Sequence, residues 1–154
     1  MEQRFNMGAV APAGYQAMLG LEKYLHQCGL EEGLLHLIKL RASQINRCAY
    51  CIDMHWKDSR ALGEPEHRLY GLDAWRESPY YTERERAALE WTEAVTLVTE
   101  GFVSDAVYEA VRPHFTPKEL ADLTLAISTI NAWNRLSISM RAKPGDYKPP
   151  PRHR

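Results

Sequence analysis

The sequence predicts an all-α fold, and three observations lead to that prediction. Apolar residues recur at helical spacing in several segments, and no segment shows the sustained apolar–polar alternation of a half-buried strand. Helix-start signals also precede the longest segments. Two of them are capping boxes, in which Thr82 is followed by Glu85 and Thr116 by Glu119. We therefore expect a bundle of helices without a β-sheet.

The start and stop signals place the helices in order along the chain. Pro12 can open the first helix, and Gly29 ends it. Asn46 is the predicted N-cap of the third helix, and Gly63 is its predicted C′ residue. The predicted helical segments are, approximately, 12–28, 31–43, 47–62, 65–71, 82–99, 104–111 and 117–140.

Composition and charge are those of an ordinary globular domain. A chain of 154 residues, 45% hydrophobic and 25% charged, is long enough for one domain with its own core. A net charge of −1 gives no strong field toward nucleic acid or membranes. No signal-peptide pattern, apolar membrane-length run or secreted disulfide framework is visible. We expect a protein of the reducing cytoplasm.

The C-terminal part of the chain changes character after the last helix. Between Leu123 and Ile138 that helix is apolar around most of its circumference, so we expect it to be central or to pack against another subunit. From residue 141 onward, five Lys and Arg residues stand against one Asp, which leaves a local charge of +4. The sequence predicts a helical domain over residues 1–142 and a Pro-rich basic tail over 143–154, solvated or strapped onto a neighbouring subunit.

The segment 36–55 contains the residues with the most chemistry. Cys48 and Cys51 form a C-x-x-C, and His55 follows four residues later. A helix turns by about 100° per residue, so the three side chains fall within about 60° of one another. If Asn46 caps the helix, Cys48 lies in its first turn, where backbone N–H groups and the helix dipole favour a thiolate. Two thiols near an imidazole indicate a redox or metal site.

A dithiol peroxidase would use these three side chains. One thiolate attacks the O–O bond, a proton must reach the leaving alkoxide, and the second thiol resolves the sulfenic acid. Cys51 and His55, at i and i+4, can hydrogen-bond, so that His55 takes the thiol proton and returns it. Cys48 is near enough to close a disulfide, which an external dithiol, a protein or a lipoyl-type molecule, then reduces. No cofactor is expected.

The run L-R-A-S-Q-I-N-x-C-x-x-C-x-x-x-H resembles the signature of the carboxymuconolactone decarboxylase superfamily, in its AhpD-like alkylhydroperoxidase branch. The resemblance is close over about residues 36–63 and looser beyond. It implies a small all-helical oligomer, a trimer or a hexamer, that reduces peroxides through a dithiol. The branch usually has a glutamate twelve residues before the first cysteine, where this chain has His36. His36 is either a replacement proton relay or a surface side chain.

Two site assignments carry open alternatives. The helix-terminus argument favours Cys48 as the thiol of lower pKa, whereas the resemblance implies that Cys51 attacks. We assign the attack to Cys51 because a peroxidase needs its proton donor close by. If His36 cannot serve, Glu93 is the candidate acid, since it lies between two leucines at i−4 and i+4. The competing interpretation of Glu93 is a rim residue.

Three other functions are consistent with the same residues. Cys48, Cys51, His55 and His36 would form a zinc set, but no second Cys/His pair stands at zinc-finger spacing, so we expect no metal. A cofactor-free lactone decarboxylase of the same superfamily has no need for two cysteines. A non-catalytic redox sensor or binding protein on the same scaffold would oxidise without turnover. The expected partners are a small peroxide, a dithiol reductant and copies of the chain, without nucleic acid or membrane.

Overall fold

The computed structural model describes residues 2–151, and these residues contain α-helices, short 3-10 helices and no β-strand. The all-α prediction is confirmed. The 3-10 helices cover Leu72–Ala74 and Arg112–His114. The α-helices of the described chain are α1 (Met7–Val10), α2 (Pro12–Leu25), α3 (Glu32–Ile45), α4 (Ala49–Ala61), α5 (Glu66–Tyr70), α6 (Glu83–Thr96), α7 (Val98–Gly101), α8 (Asp105–Val111) and α9 (Pro117–Met140).

Three of the helices begin at capping residues, at the positions that the sequence predicts. The Thr82 hydroxyl accepts a hydrogen bond from the backbone N–H of Glu85 at 3.2 Å, and the Glu85 carboxylate accepts one from the N–H of Thr82 at 2.8 Å. Thr116 and Glu119 make the same reciprocal pair at the start of α9. Ser104 caps α8 in the same way with its hydroxyl alone. The predicted helix 82–99 is divided, because α6 ends at Thr96 and the separate short helix α7 follows.

The turn between α3 and α4 differs from the prediction. Asn46 is the C-cap of α3 rather than the N-cap of α4, and α4 begins two residues later than expected, at Ala49. The N–H of Arg47 binds the carbonyl of Gln44, and the N–H of Cys48 binds that of Ser43, the two hydrogen bonds of a Schellman motif. Arg47 takes the left-handed position at φ 57°, where glycine is usual. The turn therefore lacks the glycine that marks such a helix end in sequence.

Helix α3 is the centre of the bundle, because it packs against α4, α6 and α9. One side of it joins a large apolar cluster with α6 and α9, in which Ile38 and Leu123 are completely buried. Another side packs on Leu69, Leu72 and the residues around them. Helix α9 contacts α2, α3, α4 and α6, which agrees with the central position that was one of its two predicted placements. The core thereby fixes the relative positions of α3 and α4, which carry the candidate site.

The C-terminal segment 143–151 lies along α4 of the same chain. Lys57 donates hydrogen bonds to the carbonyls of Gly145 and Tyr147, at 2.8 and 3.2 Å. The N–H of Gly145 donates to Asp53 at 3.0 Å. The predicted tail continues through residues 152–154, which lie outside the described residues. Within the described part of the chain, no helix is long and apolar enough to cross a membrane.

Candidate functional site

The two cysteines of the C-x-x-C meet at the start of α4. Cys48 is the N-cap residue of that helix, Cys51 lies in its first turn, and their Sγ atoms are 2.6 Å apart. Both side chains are buried and packed against Ala42 of α3 and Ile130 of α9. The predicted proximity of the thiols is therefore present, with Cys48 at the N-cap and not inside the helix. A disulfide would close with little backbone movement.

The surroundings shift the pKa values of the two thiols in opposite directions. The hydrogen bond with Cys51 lowers the pKa of Cys48 to about 7 against the effect of burial, and the backbone N–H groups of Tyr50 and Cys51 assist. The same sulfur contact, together with burial, raises the pKa of Cys51. The pair therefore releases one proton near neutral pH, and the first thiolate lies on Cys48. This agrees with the helix-terminus argument.

A hydrogen-bonded network of asparagines supports the dithiol from behind. The Asn46 side chain donates to Asn131 and to Asn134, each at 2.9 Å, and so ties the turn before Cys48 to α9. Asn134 is completely buried and donates to the Ser43 hydroxyl at 3.0 Å. It also lowers the pKa of both thiols by hydrogen bonding. Sequence reasoning missed Asn134, because its partners are about 90 residues away.

A cavity of about 710 Å³ opens beside the dithiol. Cys51 is among its lining residues and Cys48 is not. Access therefore favours Cys51 as the thiol that meets a substrate, whereas acidity favours Cys48. The described residues that line the cavity near Cys51 also include Met54, His55, His36, Lys39 and Trp133.

Two histidines and an aspartate form a cluster in this cavity. The Nδ1 atoms of His36 and His55 lie 4.0 and 3.8 Å from Oδ2 of Asp58, and the ring centroids are 5.9 Å apart. His36 comes from α3 and the other two residues from α4, so helix packing creates the cluster. The structure thus brings His36 and His55 together in the cavity that Cys51 lines. Asp58 was missed, although its i, i+3 spacing from His55 was a usable signal.

The expected Cys51–His55 hydrogen bond is not formed. Among the described residues, three buried ring nitrogens have no hydrogen-bond partner: both nitrogens of His55 and Nδ1 of His36. Burial is the main cause that lowers the pKa of both histidines, and the shift is large for His55. Both imidazoles are therefore neutral at pH 7. The i, i+4 spacing allowed the bond, but the Cys51 sulfur contacts Cys48 instead.

The C-terminal segment also contributes to the cluster. The Tyr147 hydroxyl donates to Oδ1 of Asp58 at 2.8 Å, which leaves the other carboxylate oxygen facing the histidines. Burial and this hydrogen bond raise the pKa of Tyr147, so the phenol stays protonated. No sequence signal connects Tyr147 to Asp58, since 89 residues separate them.

Glu93 is not brought to this cavity. Its carboxylate accepts hydrogen bonds from Trp75 at 2.8 Å, from Arg41 at 2.9 Å and from Arg76 at 2.6 Å. Burial raises the pKa of Glu93, but the three donors outweigh that effect and lower it. An ionised carboxylate between two guanidinium groups anchors α6 to α3 and to the segment after α5. Its spacing between leucines gave no information about these partners.

The fold and the site define a small all-α protein with a C-x-x-C dithiol at a helix start and a histidine one turn later. The sequence profile of the Carboxymuconolactone decarboxylase family matches residues 12–94. The chain belongs to the carboxymuconolactone decarboxylase family, and to its AhpD-like branch. The resemblance of the motif is therefore confirmed.

Individual relatives match nearly the whole chain. The uncharacterized protein YdfG of Bacillus subtilis (strain 168) is 45% identical over 140 residues, which are 91% of this chain and 95% of YdfG. The crystal structure of a protein of unknown function from Agrobacterium tumefaciens, described provisionally as the antioxidant defence protein AhpD, is 43% identical with a TM-score of 0.91. That match covers 95% of this chain and 100% of that one.

A more distant match is the crystal structure of an uncharacterized peroxidase-related protein from Ralstonia eutropha JMP134, with an AhpD core. Its identity is 23% and its TM-score 0.80, over 91% of this chain and 75% of that one. At that identity the likeness shows the shared fold.

Proposed function

We propose that this protein is a thiol-dependent hydroperoxide reductase that cycles its C-x-x-C between dithiol and disulfide. One observation carries the proposal: Cys51, in contact with Cys48, lines a cavity that also contains two neutral histidines. A peroxidase needs a thiolate, a resolving thiol and a proton carrier within one site, and these residues supply all three. Membership of the AhpD-like branch supports the same activity.

The first step is the attack of Cys51 on the peroxide. The dithiol releases one proton, which the neutral imidazole of His55 takes up. The remaining proton moves across the 2.6 Å sulfur contact from Cys51 to Cys48, which places the thiolate on Cys51. Cys51 then attacks the O–O bond and becomes a sulfenic acid, and the alkoxide that leaves takes its proton from His55. Burial lowers the pKa of His55, so the imidazolium forms only transiently and passes its proton readily to the alkoxide.

The second step restores the dithiol. The Cys48 thiol attacks the sulfenic acid on Cys51, so that a disulfide forms and water leaves. An external dithiol, a protein or a lipoyl-type molecule, reduces the disulfide by two thiol–disulfide exchanges. The partners are thus a small peroxide, which fits the cavity, and a dithiol donor. The cycle suits the reducing cytoplasm.

Asp58 is the acid that we place beside the histidines. Its free carboxylate oxygen lies 3.8 Å from Nδ1 of His55 and 4.0 Å from Nδ1 of His36, so it stabilises an imidazolium on either ring. His36 occupies the position of the branch's usual glutamate and passes protons between the cavity and this cluster. Glu93, committed to its arginines, has no part in the relay.

Peroxide consumption with a panel of dithiol donors, together with a free-thiol count, tests the proposal. Cys51→Ser should abolish turnover, and Cys48→Ser should stall with a sulfenic acid trapped on Cys51. Cys28→Ser removes the third, half-buried cysteine and serves as the matched control with unchanged turnover. A sulfenic acid on Cys48 in the Cys51→Ser protein would reverse the assignment of the thiols.

Two results would replace the proposal by its rivals. Oxidation of the thiols without regeneration by any dithiol would indicate a redox sensor. Lactone decarboxylation that persists in the Cys48→Ser/Cys51→Ser protein would indicate the acid–base lyase. Full peroxide turnover in that double variant would end the dithiol mechanism.

We also propose that the chain assembles into a trimer or a hexamer. Several large apolar side chains are exposed on the described surface, among them Val10, Tyr70, Phe102 and Ile138. Contacts between copies would cover part of this surface. Light scattering at micromolar concentration tests the assembly, and a monomeric mass would contradict it.

A further inference from the structure

The cluster of His36, His55 and Asp58 has the composition of a metal site. We propose that these three residues bind one divalent first-row transition-metal ion, for which Zn²⁺ is a suitable probe. The ligands are the Nδ1 atoms of the two imidazoles and Oδ2 of the carboxylate. This set is distinct from the cysteine-containing zinc set that the sequence offered, because the thiols contact each other and Asp58 takes their place.

The separations between the ligand atoms fit this assignment. One ligand atom from each of the three residues lies within 4.8 Å of the others. The separations from Oδ2 of Asp58 to Nδ1 of His55 and of His36 are 3.8 and 4.0 Å. Ligands at about 2.0–2.2 Å from a tetrahedral zinc ion are about 3.4 Å apart. The two pairs that include Asp58 must therefore contract by about 0.4 and about 0.6 Å, and the pair of histidines by at most about 1.4 Å. Side-chain rotation on two packed helices can supply these shifts.

Unpaired ring nitrogens give independent support. His55 is 4% exposed, and among the described residues neither of its nitrogens has a hydrogen-bond partner; Nδ1 of His36 has none either. Buried polar atoms are normally paired, and each exception needs an explanation. Neutral imidazole nitrogens are also the commonest protein ligands of transition metals. A bound ion would satisfy the Nδ1 atom of both rings at once.

Two of the three members, His36 and Asp58, have outer contacts of the kind that metal centres use. Metal-binding histidines usually direct their other ring nitrogen to a carboxylate, and ligating carboxylates accept further hydrogen bonds. Nε2 of His36 lies 3.8 Å from Oε1 of Glu32. The Tyr147 hydroxyl donates to Oδ1 of Asp58 at 2.8 Å, so the oxygen that faces the histidines is fixed in place.

The charges of the cavity also suit a cation. Four carboxylates line it, from Glu22, Glu32, Asp58 and Asp146, against two lysine ammonium groups. The nearer lysine, Lys39, is paired with Glu22 at 2.6 Å, which offsets its repulsion of an ion. Three protein ligands facing a cavity leave at least one coordination position open, as in catalytic zinc sites and in two-histidine, one-carboxylate iron sites.

Calorimetric titration of the metal-free, tag-free full chain with Zn²⁺ tests the site, and Co²⁺ absorption reports the ligands. We expect one ion per chain, in the parent and in the Cys48→Ser/Cys51→Ser protein alike, without thiolate-to-cobalt charge-transfer bands. Asp58→Asn and His36→Gln should each weaken binding by about tenfold or more, and Tyr147→Phe by about tenfold. A bound ion would occupy the same Nδ1 and Oδ2 atoms as the proposed proton relay, so the metal-bound and the peroxide-reducing forms are alternative states of the cluster. The readout is binding alone, so the result does not depend on peroxide reduction.

Asp73→Asn is the matched control. It makes the same change of charge at a carboxylate that pairs with Arg41 outside the cavity, and it should leave Zn²⁺ affinity unchanged. Circular dichroism checks that each variant is folded. If the Asp58→Asn protein does not fold, the His36→Gln protein still tests the site. The proposal is overturned if Zn²⁺ does not bind, if binding disappears with the cysteines, or if it persists unchanged in folded Asp58→Asn or His36→Gln protein.

Discussion

Glu93 and Asp58 are carboxylates of similar exposure in very different surroundings. The side chain of Glu93 is 17% exposed and that of Asp58 is 12% exposed. Glu93 binds two guanidinium groups and an indole N–H, whereas Asp58 accepts one phenol hydrogen bond and otherwise faces two neutral imidazoles. Charge pairing therefore distinguishes an acid that holds helices together from one that is free to take part in chemistry. Burial alone does not separate them.

The largest expected effect tests whether the imidazoles beside Asp58 carry the proton. His55→Ala should lower the rate of peroxide reduction by about 10²–10⁴-fold, because general acid–base catalysis contributes that much. Stopped-flow measurement of the first oxidation, before any dithiol is added, isolates this step. His36→Ala should cause a smaller loss, and His36→Glu, which restores the usual residue of the branch, should recover activity. An unchanged rate in His55→Ala would remove the histidine from the mechanism.

Replacing each of the two acids by its amide compares their roles in catalysis directly. Asp58→Asn should lower kcat/KM for peroxide by about 10- to 100-fold, since it removes the charge that stabilises the imidazolium but leaves the base in place. Glu93→Gln should change kcat/KM less than about twofold, because its carboxylate lies outside the cavity. A large loss in Glu93→Gln with none in Asp58→Asn would return the relay to Glu93.

Stability should show the opposite order. Glu93→Gln should lower the free energy of unfolding by about 1–3 kcal/mol, because it leaves the largely buried Arg41 guanidinium without its buried charged partner. Asp73 also pairs with Arg41 but is 78% exposed, so Asp73→Asn, the matched control, should cost about 0–1 kcal/mol. Urea denaturation measures both variants. Equal losses of unfolding free energy in the two variants would show that the buried Glu93 stabilises the fold no more than the exposed Asp73.

The smallest effect concerns pH. Burial lowers the pKa of His55 in the folded state, so the unfolded chain binds more protons as the pH falls below about 6.5. The stabilisation is present above that pH and is lost on acidification. Between about pH 7.5 and about pH 5.5, His55 should reduce the free energy of unfolding by about 1.4 kcal/mol. Denaturation of His55→Gln should lack that contribution, and an identical pH dependence would refute it.

Local signals account for what sequence reasoning predicted well. The capping boxes at Thr82 and Thr116 lie within one helical turn, and the spacing of Cys48, Cys51 and His55 spans two turns of one helix. Such features depend on neighbours in the chain, so the sequence shows them directly. The turn at Asn46 was predicted wrongly because its local signal is missing. Arg47 takes the left-handed conformation that glycine usually marks in a sequence.

The sequence by itself determined the all-α class, the position of the dithiol at a helix start and the family of the chain. The tertiary structure decided the partners of those residues. The packing of α3 on α4 places His36 beside Asp58. The C-terminal segment folds back along α4 and brings Tyr147 to Asp58. Glu93 of α6 pairs with Arg41 and does not lie near Cys51. These contacts join residues 22 to 89 positions apart, and such pairings follow from the burial of helix faces, which no local pattern encodes.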